Sequence, residues 1–274
     1  MAYAVTAVFS GQALTHCEPA LYAARWHAAH ALVGFSLVLG QFAPTHILQQ
    51  LRYALFRVSE RLHEWRYGIA SDGEILASDL GITEKSCHDY LATGYMRFRQ
   101  LMKQIEIHES DVFLDYGSGL GRAVILAATY PFRKVIGVEL VADLHARAAE
   151  NVRRAVNRLR CRDIELYNVD ARHFRIPPEV TVIYLWNPFD GDVLREVFGN
   201  IQRSIVEHPR TVTILHLSPI SPTALDEMKE SLPWLNESKR IRFGAHSLAV
   251  FYTCGAAEAA AALASSLSAL AQAM

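Results

Sequence analysis

Short apolar runs alternate with segments of helical spacing from residue 112 onwards. The runs occupy residues 112–115, 134–140, 164–169 and 180–186. The last run, VTVIYLW, is apolar throughout and rich in β-branched residues, which is typical of a parallel strand covered on both faces. Strands that alternate with helices predict an α/β fold with an open, mostly parallel sheet and helices on both faces.

Before residue 112 the pattern is mainly helical. Residues 49–67 and 89–102 carry apolar side chains at helical spacing, and turn residues separate them over 67–83. We therefore expect an N-terminal helical extension over 1–66, an α/β domain over 67–255 and an Ala/Ser-rich tail over 256–274. Because the tail has few large apolar side chains, we expect it to pack weakly against the core.

The segment 27–51 contains no Asp, Glu, Lys or Arg. Its strongly apolar part is shorter than the roughly 20 residues that span a bilayer, and Pro44 interrupts it. Neither a basic n-region nor a clear cleavage pattern indicates a secretory signal. We expect a buried or amphipathic helix, and a membrane-surface or dimer contact by residues 28–43 is the alternative.

The charge balance and the cysteine content indicate which kinds of partner and which cell compartment suit this chain. Lys and Arg total 27 against 28 Asp and Glu, which argues against nucleic acid as the main partner. The cysteines are dispersed without a C-x-x-C pair, which predicts reduced thiols and a cytoplasmic location; they are Cys17, Cys87, Cys161 and Cys254. His27 and His30 share a helix face but lack acidic or cysteine neighbours, so no metal is expected.

The run that ends at Asp115 leads into glycines at 117, 119 and 121 and then into helical spacing. This order predicts a strand, a tight turn and a helix start. Glycines let a ligand lie against the backbone, and amides at a helix N-terminus donate hydrogen bonds to it. We therefore expect a cofactor here. The G-x-G-x-x-G fingerprint of dinucleotide-binding folds would need a third glycine at position 122, which is Arg122.

Read from Asp115, the motif D-x-G-x-G-x-G resembles motif I of class I S-adenosylmethionine-dependent methyltransferases. The resemblance implies a doubly wound, mostly parallel seven-stranded sheet that ends in an antiparallel hairpin, and residues 210–217 and 248–254 supply further strand candidates. It also implies that Asp115 orders the turn and meets the methionine ammonium. The turn residues that would contact the amino-acid part of the cofactor are Gly117, Ser118, Gly119 and Gly121.

The ends of the next two runs supply further candidates. Glu139 closes the second run about twenty residues beyond the glycines, where a carboxylate can accept hydrogen bonds from both ribose hydroxyls. The third run leads into Asp170, which by the same resemblance meets the adenine amino group. Leu140 and Ala171 follow these acids and are expected to line the nucleoside.

The fourth run ends in Asn187, Pro188 and Phe189, which resembles the N-P-P-Y segment of enzymes that methylate amino groups. Asn187 could accept a hydrogen bond from an acceptor nitrogen, and Phe189 could line the methyl path, so both are catalytic candidates and Asn187 is also a cofactor candidate. In the alternative interpretation, Asn187 and Pro188 only end the strand and Phe189 belongs to the core.

Upstream of the glycines, Tyr90 and Thr93 match a segment that closes over the cofactor in some bacterial methyltransferases and in related protein-lysine methyltransferases. Ala92 and Gly94 stand where that segment has prolines. Tyr90 and Thr93 are therefore cofactor-contact candidates, and the start of a hydrophobic helix is the alternative.

Together these features predict a methyltransferase that uses S-adenosyl-L-methionine to methylate a nitrogen or oxygen of a small molecule or a protein side chain. Asp190, Tyr184 and His216 are candidates to remove a proton from the acceptor, and no spacing rule selects among them. A nicotinamide-dependent oxidoreductase and a non-catalytic cofactor-binding scaffold are the alternatives.

Overall fold

The computed structural model describes residues 45–81, 87–218, 232–243 and 247–273. The expectations for His27, His30, Cys17 and residues 28–43 fall outside these ranges. The chain divides into two units, Met1–Leu62 and His63–Met274. Of the first unit, the structure describes residues 45–62, which form most of helix α1 (Thr45–Tyr67). The predicted domain boundaries stay predictions.

The second unit contains a seven-stranded sheet. Its strands are β3 (Val112–Tyr116), β4 (Lys134–Glu139), β5 (Ile164–Asn168), β6 (Val180–Trp186), β7 (Val212–Ser218), β8 (Glu237–Phe243) and β9 (Ser247–Cys254). They lie in the order β5-β4-β3-β6-β7-β9-β8. The first five are parallel, and β9 runs antiparallel to both β7 and β8. The predicted mostly parallel sheet with a final antiparallel hairpin is confirmed.

Helices cover both faces of the sheet. They are α2 (Tyr95–Met102), α3 (Arg122–Ala127), α4 (Ala142–Ala155), α5 (Gly191–Glu207) and α6 (Ala256–Ala273). Residues of β3 alternate between two cores, because Leu114 packs with the α5 side and Phe113 packs with the α2 and α3 side. The strand order reverses between β3 and β6, which is where open α/β sheets bind ligands at the carboxyl ends of their strands.

Two sequence expectations need correction. The helix expected over residues 89–102 begins only at Tyr95, because Tyr90 and Leu91 form a short strand, β2 (Tyr90–Leu91), that pairs with β1 (Glu74–Ile75). The tail is also better anchored than expected. Ala259 is fully buried in the core of the α5 side, and its carbonyl accepts a hydrogen bond from Gln202 Nε2 at 2.9 Å.

Candidate active site

A cleft opens at the carboxyl ends of β3, β4 and β6. Most of the predicted cofactor residues line it, namely Tyr90, Thr93, Asp115, Gly117, Ser118, Gly119, Glu139, Leu140, Asp170 and Ala171. Gly121 and Asn187 are not among its lining residues. A Cβ on Gly121 would lie 3.1 Å from the Cβ of Ala148, so this glycine lets α3 start close against α4.

The glycine turn is tightly covered by two other segments. A Cβ on Gly117 would lie 2.4 Å from Pro188 Cβ, and a Cβ on Gly119 would lie 2.3 Å from the ring of Tyr90. Both glycines also have positive φ, at 73° and 52°. Any side chain at either position would push away the segment that closes the cleft.

The backbone amides of this turn are used within the protein. Gly117 N and Ser118 N both donate to Val138 O at 2.9 Å, and Gly119 N donates to Glu139 Oε2 at 2.8 Å. These three amides therefore order the turn against β4. The amides at the start of α3, which we expect to donate to the ligand, are not among them.

Two buried carboxylates stand at the base of the cleft. Asp115 is 3% and Glu139 is 7% exposed. Burial, and next the neighbouring Glu139 carboxylate, raise the pKa of Asp115 well above its ordinary value. Burial also raises the pKa of Glu139, although amides at Val141 and Gly119 lower it in part. A bound cation would favour the ionised form of both carboxylates.

The acid at the end of β5 has a different environment. Both oxygens of Asp170 accept hydrogen bonds from the guanidinium of Arg172, the shortest at 2.6 Å. These bonds lower the pKa of Asp170. The carboxylate lines the cleft but already has a cationic partner, so an adenine amino group would have to share it.

A buried arginine fixes the cover of the cleft. Arg122 is 2% exposed and donates to Ser71 Oγ at 2.8 Å and to Glu64 Oε1 at 3.0 Å. Tyr90 Oη in turn donates to Ser71 O at 2.6 Å, with the Tyr90 ring over the glycine turn. The Thr93 carbonyl also accepts from Arg122, at 3.3 Å.

Sequence reasoning missed this cluster. The available signal was Arg122 itself, because a charge in the apolar helix RAVILA needs a buried partner. Nothing in the sequence pointed to Glu64 or Ser71 as that partner.

The end of β6 borders a second cleft. It is lined by Glu74, Cys87, His88, Asp89, Leu91, Arg97, Trp186, Asn187, Leu217 and Ser247. Five of these residues also line the first cleft, namely Cys87, His88, Asp89, Leu91 and Trp186. The two clefts therefore share a wall, and of the two clefts Asn187 lines only the second.

Three further candidates from the sequence differ in their contacts and in whether they line a cleft. Phe189 is 5% exposed, packs edge-on to Tyr116 in the core and also lines the first cleft. Tyr184 Oη lies 3.2 Å from Thr93 Oγ1, and burial raises its pKa. His216 lines neither cleft and is 1% exposed, and burial lowers its pKa to about 4. Its burial argues against a role as base.

The family model described as "Histone methylation protein DOT1" matches residues 86–182. This segment runs from the shared wall through the glycine turn to β6, in a sheet whose strand order places that turn at the switch point.

The chain contains a class I S-adenosylmethionine-dependent methyltransferase domain. Its cofactor is S-adenosylmethionine, and the resemblance found at Asp115–Gly121 is confirmed. The match favours this class over the nicotinamide-dependent alternative.

Similar proteins include the H3 lysine-79 specific histone-lysine N-methyltransferase of Drosophila melanogaster. That enzyme is 38% identical over 64 residues, which are 23% of this chain and 3% of the relative. The chain thus matches only a small part of that relative's length.

Among solved structures, an RNA methyltransferase from Salinibacter ruber in complex with S-adenosyl-L-homocysteine is 20% identical. Its TM-score is 0.44, and the match covers 60% of this chain and 94% of that one. TrmN from Thermus thermophilus is 21% identical with a TM-score of 0.47, over 60% of this chain and 49% of that one.

The described ranges contain no group of three or more His, Cys, Asp or Glu side chains placed to hold a metal ion. Nor does any helix within them have both the length and the hydropathy that crossing a bilayer requires.

Proposed function

We propose that the methyltransferase domain transfers a methyl group from S-adenosylmethionine to the side-chain amine of a lysine in a protein. One observation carries this proposal. The match to the histone methylation family covers residues 86–182 and so includes Tyr90 and Thr93 of the cover, both buried carboxylates and the start of β6. The Drosophila melanogaster relative is itself named as a lysine N-methyltransferase.

The donor set of the first cleft fits the cofactor. S-adenosylmethionine brings an ammonium, two ribose hydroxyls and, at its sulfonium, an electrophilic methyl group. We assign the ammonium to Asp115, whose buried carboxylate a cation would stabilise. We assign the ribose to Glu139, because each of its oxygens accepts one backbone amide and keeps a further lone pair.

Other residues of the chain would position and shield the reacting groups. Tyr90 covers the turn and Phe189 is also part of the lining, so both would exclude water from the cleft. Ser118, Leu140 and Ala171 are further lining residues that we assign to the cofactor. Asp170 stays a candidate for the adenine amino group.

The second cleft is the proposed entrance for the acceptor. It shares five lining residues with the first cleft, and we propose that a lysine side chain that enters there reaches the cofactor. Its lining offers the indole of Trp186 for the aliphatic stem and the acids Glu74 and Asp89 for the ammonium. Asn187 would then accept a hydrogen bond from the acceptor nitrogen.

Transfer of labelled methyl tests the proposal. The full chain is incubated with S-adenosylmethionine labelled in the methyl group and with histones or a cell extract, and acid hydrolysates are analysed for methylated lysine. We expect label in methyl-lysine, and no label when the lysines of the acceptor have been blocked beforehand by chemical acetylation. Label that remains in small molecules or at other residues would overturn the lysine assignment.

We further propose that the protein works in the cytoplasm, as its dispersed cysteines indicate. Imaging of a tagged full-length chain tests this location. Signal confined to another compartment would overturn it.

A further inference from the structure

A short buried loop precedes β1. It comprises residues 69–72, and we call it the strap. Ile69 is 7% and Ser71 is 0% exposed, whereas connecting loops usually run over the protein surface. The strap precedes residues 86–182, so it lies outside the part of the chain that matches the histone methylation family. Its burial therefore calls for an explanation that the family match does not supply.

Asn151 ties the strap to the glycine turn. This side chain of α4 is 3% exposed, and its amide binds both backbone groups of Ala70. Ala70 N donates to Asn151 Oδ1 at 3.0 Å, and Asn151 Nδ2 donates to Ala70 O at 3.1 Å. The same Nδ2 also donates to Leu120 O, within the turn, at 3.0 Å. One buried side chain therefore fixes the strap and the turn relative to each other.

Ser71 connects the strap to the cover of the cleft. Its hydroxyl accepts a hydrogen bond from Arg122 Nε at 2.8 Å and donates one to Glu64 Oε1 at 2.9 Å. Its carbonyl accepts a hydrogen bond from Tyr90 Oη at 2.6 Å. Arg122 and Tyr90 line the first cleft, whereas Ser71 and Glu64 are not among its lining residues. Ser71 therefore contacts two residues of the cleft without lining it.

These contacts hold the part of the cleft that is assigned to the amino-acid part of the cofactor. The Tyr90 ring lies so close to the turn that a Cβ on Gly119 would be 2.3 Å from it. Movement of the ring away from the turn would break its hydroxyl's bond to Ser71 O, so this bond favours the observed position. Asp115, to which we assign the ammonium, lines the same cleft.

We propose that the strap is a positioning element of the cofactor site, which holds Tyr90 and Arg122 beside the amino-acid part of S-adenosylmethionine. Ser71 is its positioning residue. The inference rests on the assignment of that part to Asp115 in the proposed function, and it is independent of which acceptor receives the methyl group.

The affinities of two ligands test the proposal. S-adenosylhomocysteine carries the amino-acid part, whereas methylthioadenosine is the same thioether nucleoside with a methyl group in its place. Calorimetry on the full chain measures both affinities in the wild type and in Ser71→Ala. We expect Ser71→Ala to bind S-adenosylhomocysteine about tenfold more weakly and to change the affinity for methylthioadenosine less than about twofold, because only the first ligand reaches the residues that the strap holds.

Ser204→Ala is the matched control. Ser204 is 7% exposed and its hydroxyl also accepts a hydrogen bond from an arginine, Arg210, at 2.9 Å, but it lies on α5 and lines neither cleft. We expect this variant to leave the ratio of the two affinities unchanged. A merely structural role of Ser71 would lower the melting temperature and weaken both ligands alike. An unchanged ratio in Ser71→Ala would therefore overturn the proposal.

Tyr90→Phe tests the same connection from the cover. It removes the hydroxyl that donates to Ser71 O and keeps the ring. We expect about fivefold weaker binding of S-adenosylhomocysteine and a change of less than about twofold for methylthioadenosine. If Ser71→Ala does not fold, this variant decides, and an unchanged ratio again overturns the proposal.

Asp115→Asn separates the proposal from the assignment on which it rests. This variant should change the ratio in the same direction as Ser71→Ala, because it removes the partner assigned to the ammonium. If the ratio stays unchanged in Asp115→Asn, that assignment fails. The ratio in Ser71→Ala then still decides whether the strap positions the amino-acid part.

Discussion

The two flanks of the cofactor cleft hold their carboxylates in opposite ways. At the ends of β3 and β4, Asp115 and Glu139 are buried and burial raises the pKa of both. At the end of β5, Arg172 neutralises Asp170 and lowers its pKa. A ligand cation can therefore stabilise the ionised carboxylates of the first flank, whereas the carboxylate of the second flank already pairs with a cation of the protein. Affinity should therefore depend on the first flank.

Replacement of Arg122 and replacement of Arg172 should have very different effects on the free energy of unfolding. Arg122→Met leaves Glu64 and Asp72 without their buried cation and should lower the free energy of unfolding by about 3–5 kcal/mol. Arg172→Met breaks a partly exposed pair and should cost less than about 1 kcal/mol. Urea unfolding measures both. Equal losses would show that the two flanks do not differ in this way.

Asp115→Asn should separate the flanks in cofactor affinity. It removes the partner assigned to the ammonium, so we expect calorimetry to show about 100-fold weaker binding of S-adenosylhomocysteine. Asp170→Asn, the matched change on the other flank, should weaken binding by less than about threefold. Because burial disfavours the ionised Asp115 carboxylate, Asp115→Asn should not lower the melting temperature. Comparable losses of affinity in the two variants would contradict the assignment.

The pH dependence of binding should report the same difference. Asp115 binds a cation only when ionised, and its pKa is raised, so affinity for S-adenosylhomocysteine should fall as pH drops through that raised value. In the ligand-free protein, ionisation of the buried Asp115 lowers the free energy of unfolding, so the protein is less stable above this pH than below it. Asp115→Asn should lose the pH dependence, and Asp170→Asn should keep it. Calorimetric titrations at a series of pH values check both.

Glu139→Gln should have a smaller effect within the first flank. The amide of glutamine can accept through one oxygen only, so either Gly119 N or Val141 N loses its acceptor. We expect about tenfold weaker binding of S-adenosylhomocysteine, together with faster hydrogen exchange at whichever amide is released. Unchanged affinity would remove Glu139 from the ribose.

The elements that the sequence predicted best are those with an uninterrupted apolar run. The sequence predicts residues 180–186 to both ends, because a strand buried on both faces reads as a nearly continuous apolar run. Strand β8 escaped prediction because it lies at the edge of the sheet and reads ESKRIRF, with most of its side chains exposed.

Within the site, sequence reasoning found side chains at strand ends but not their partners. Asp115, Glu139 and Asp170 follow apolar runs and could be located by position alone. The pairing of Arg122 with Glu64, and of His88 with Asp190, joins segments that only the folded sheet brings together. Local pattern carries no signal for such contacts.

A structure of the full chain with S-adenosylhomocysteine tests the central claim most directly. We predict that the ribose hydroxyls bind Glu139 and that the amino group binds Asp115, with the glycine turn and the ring of Tyr90 both lining the wall beside the ligand. A nucleoside seated in the second cleft, or an amino group directed away from Asp115, would contradict the account.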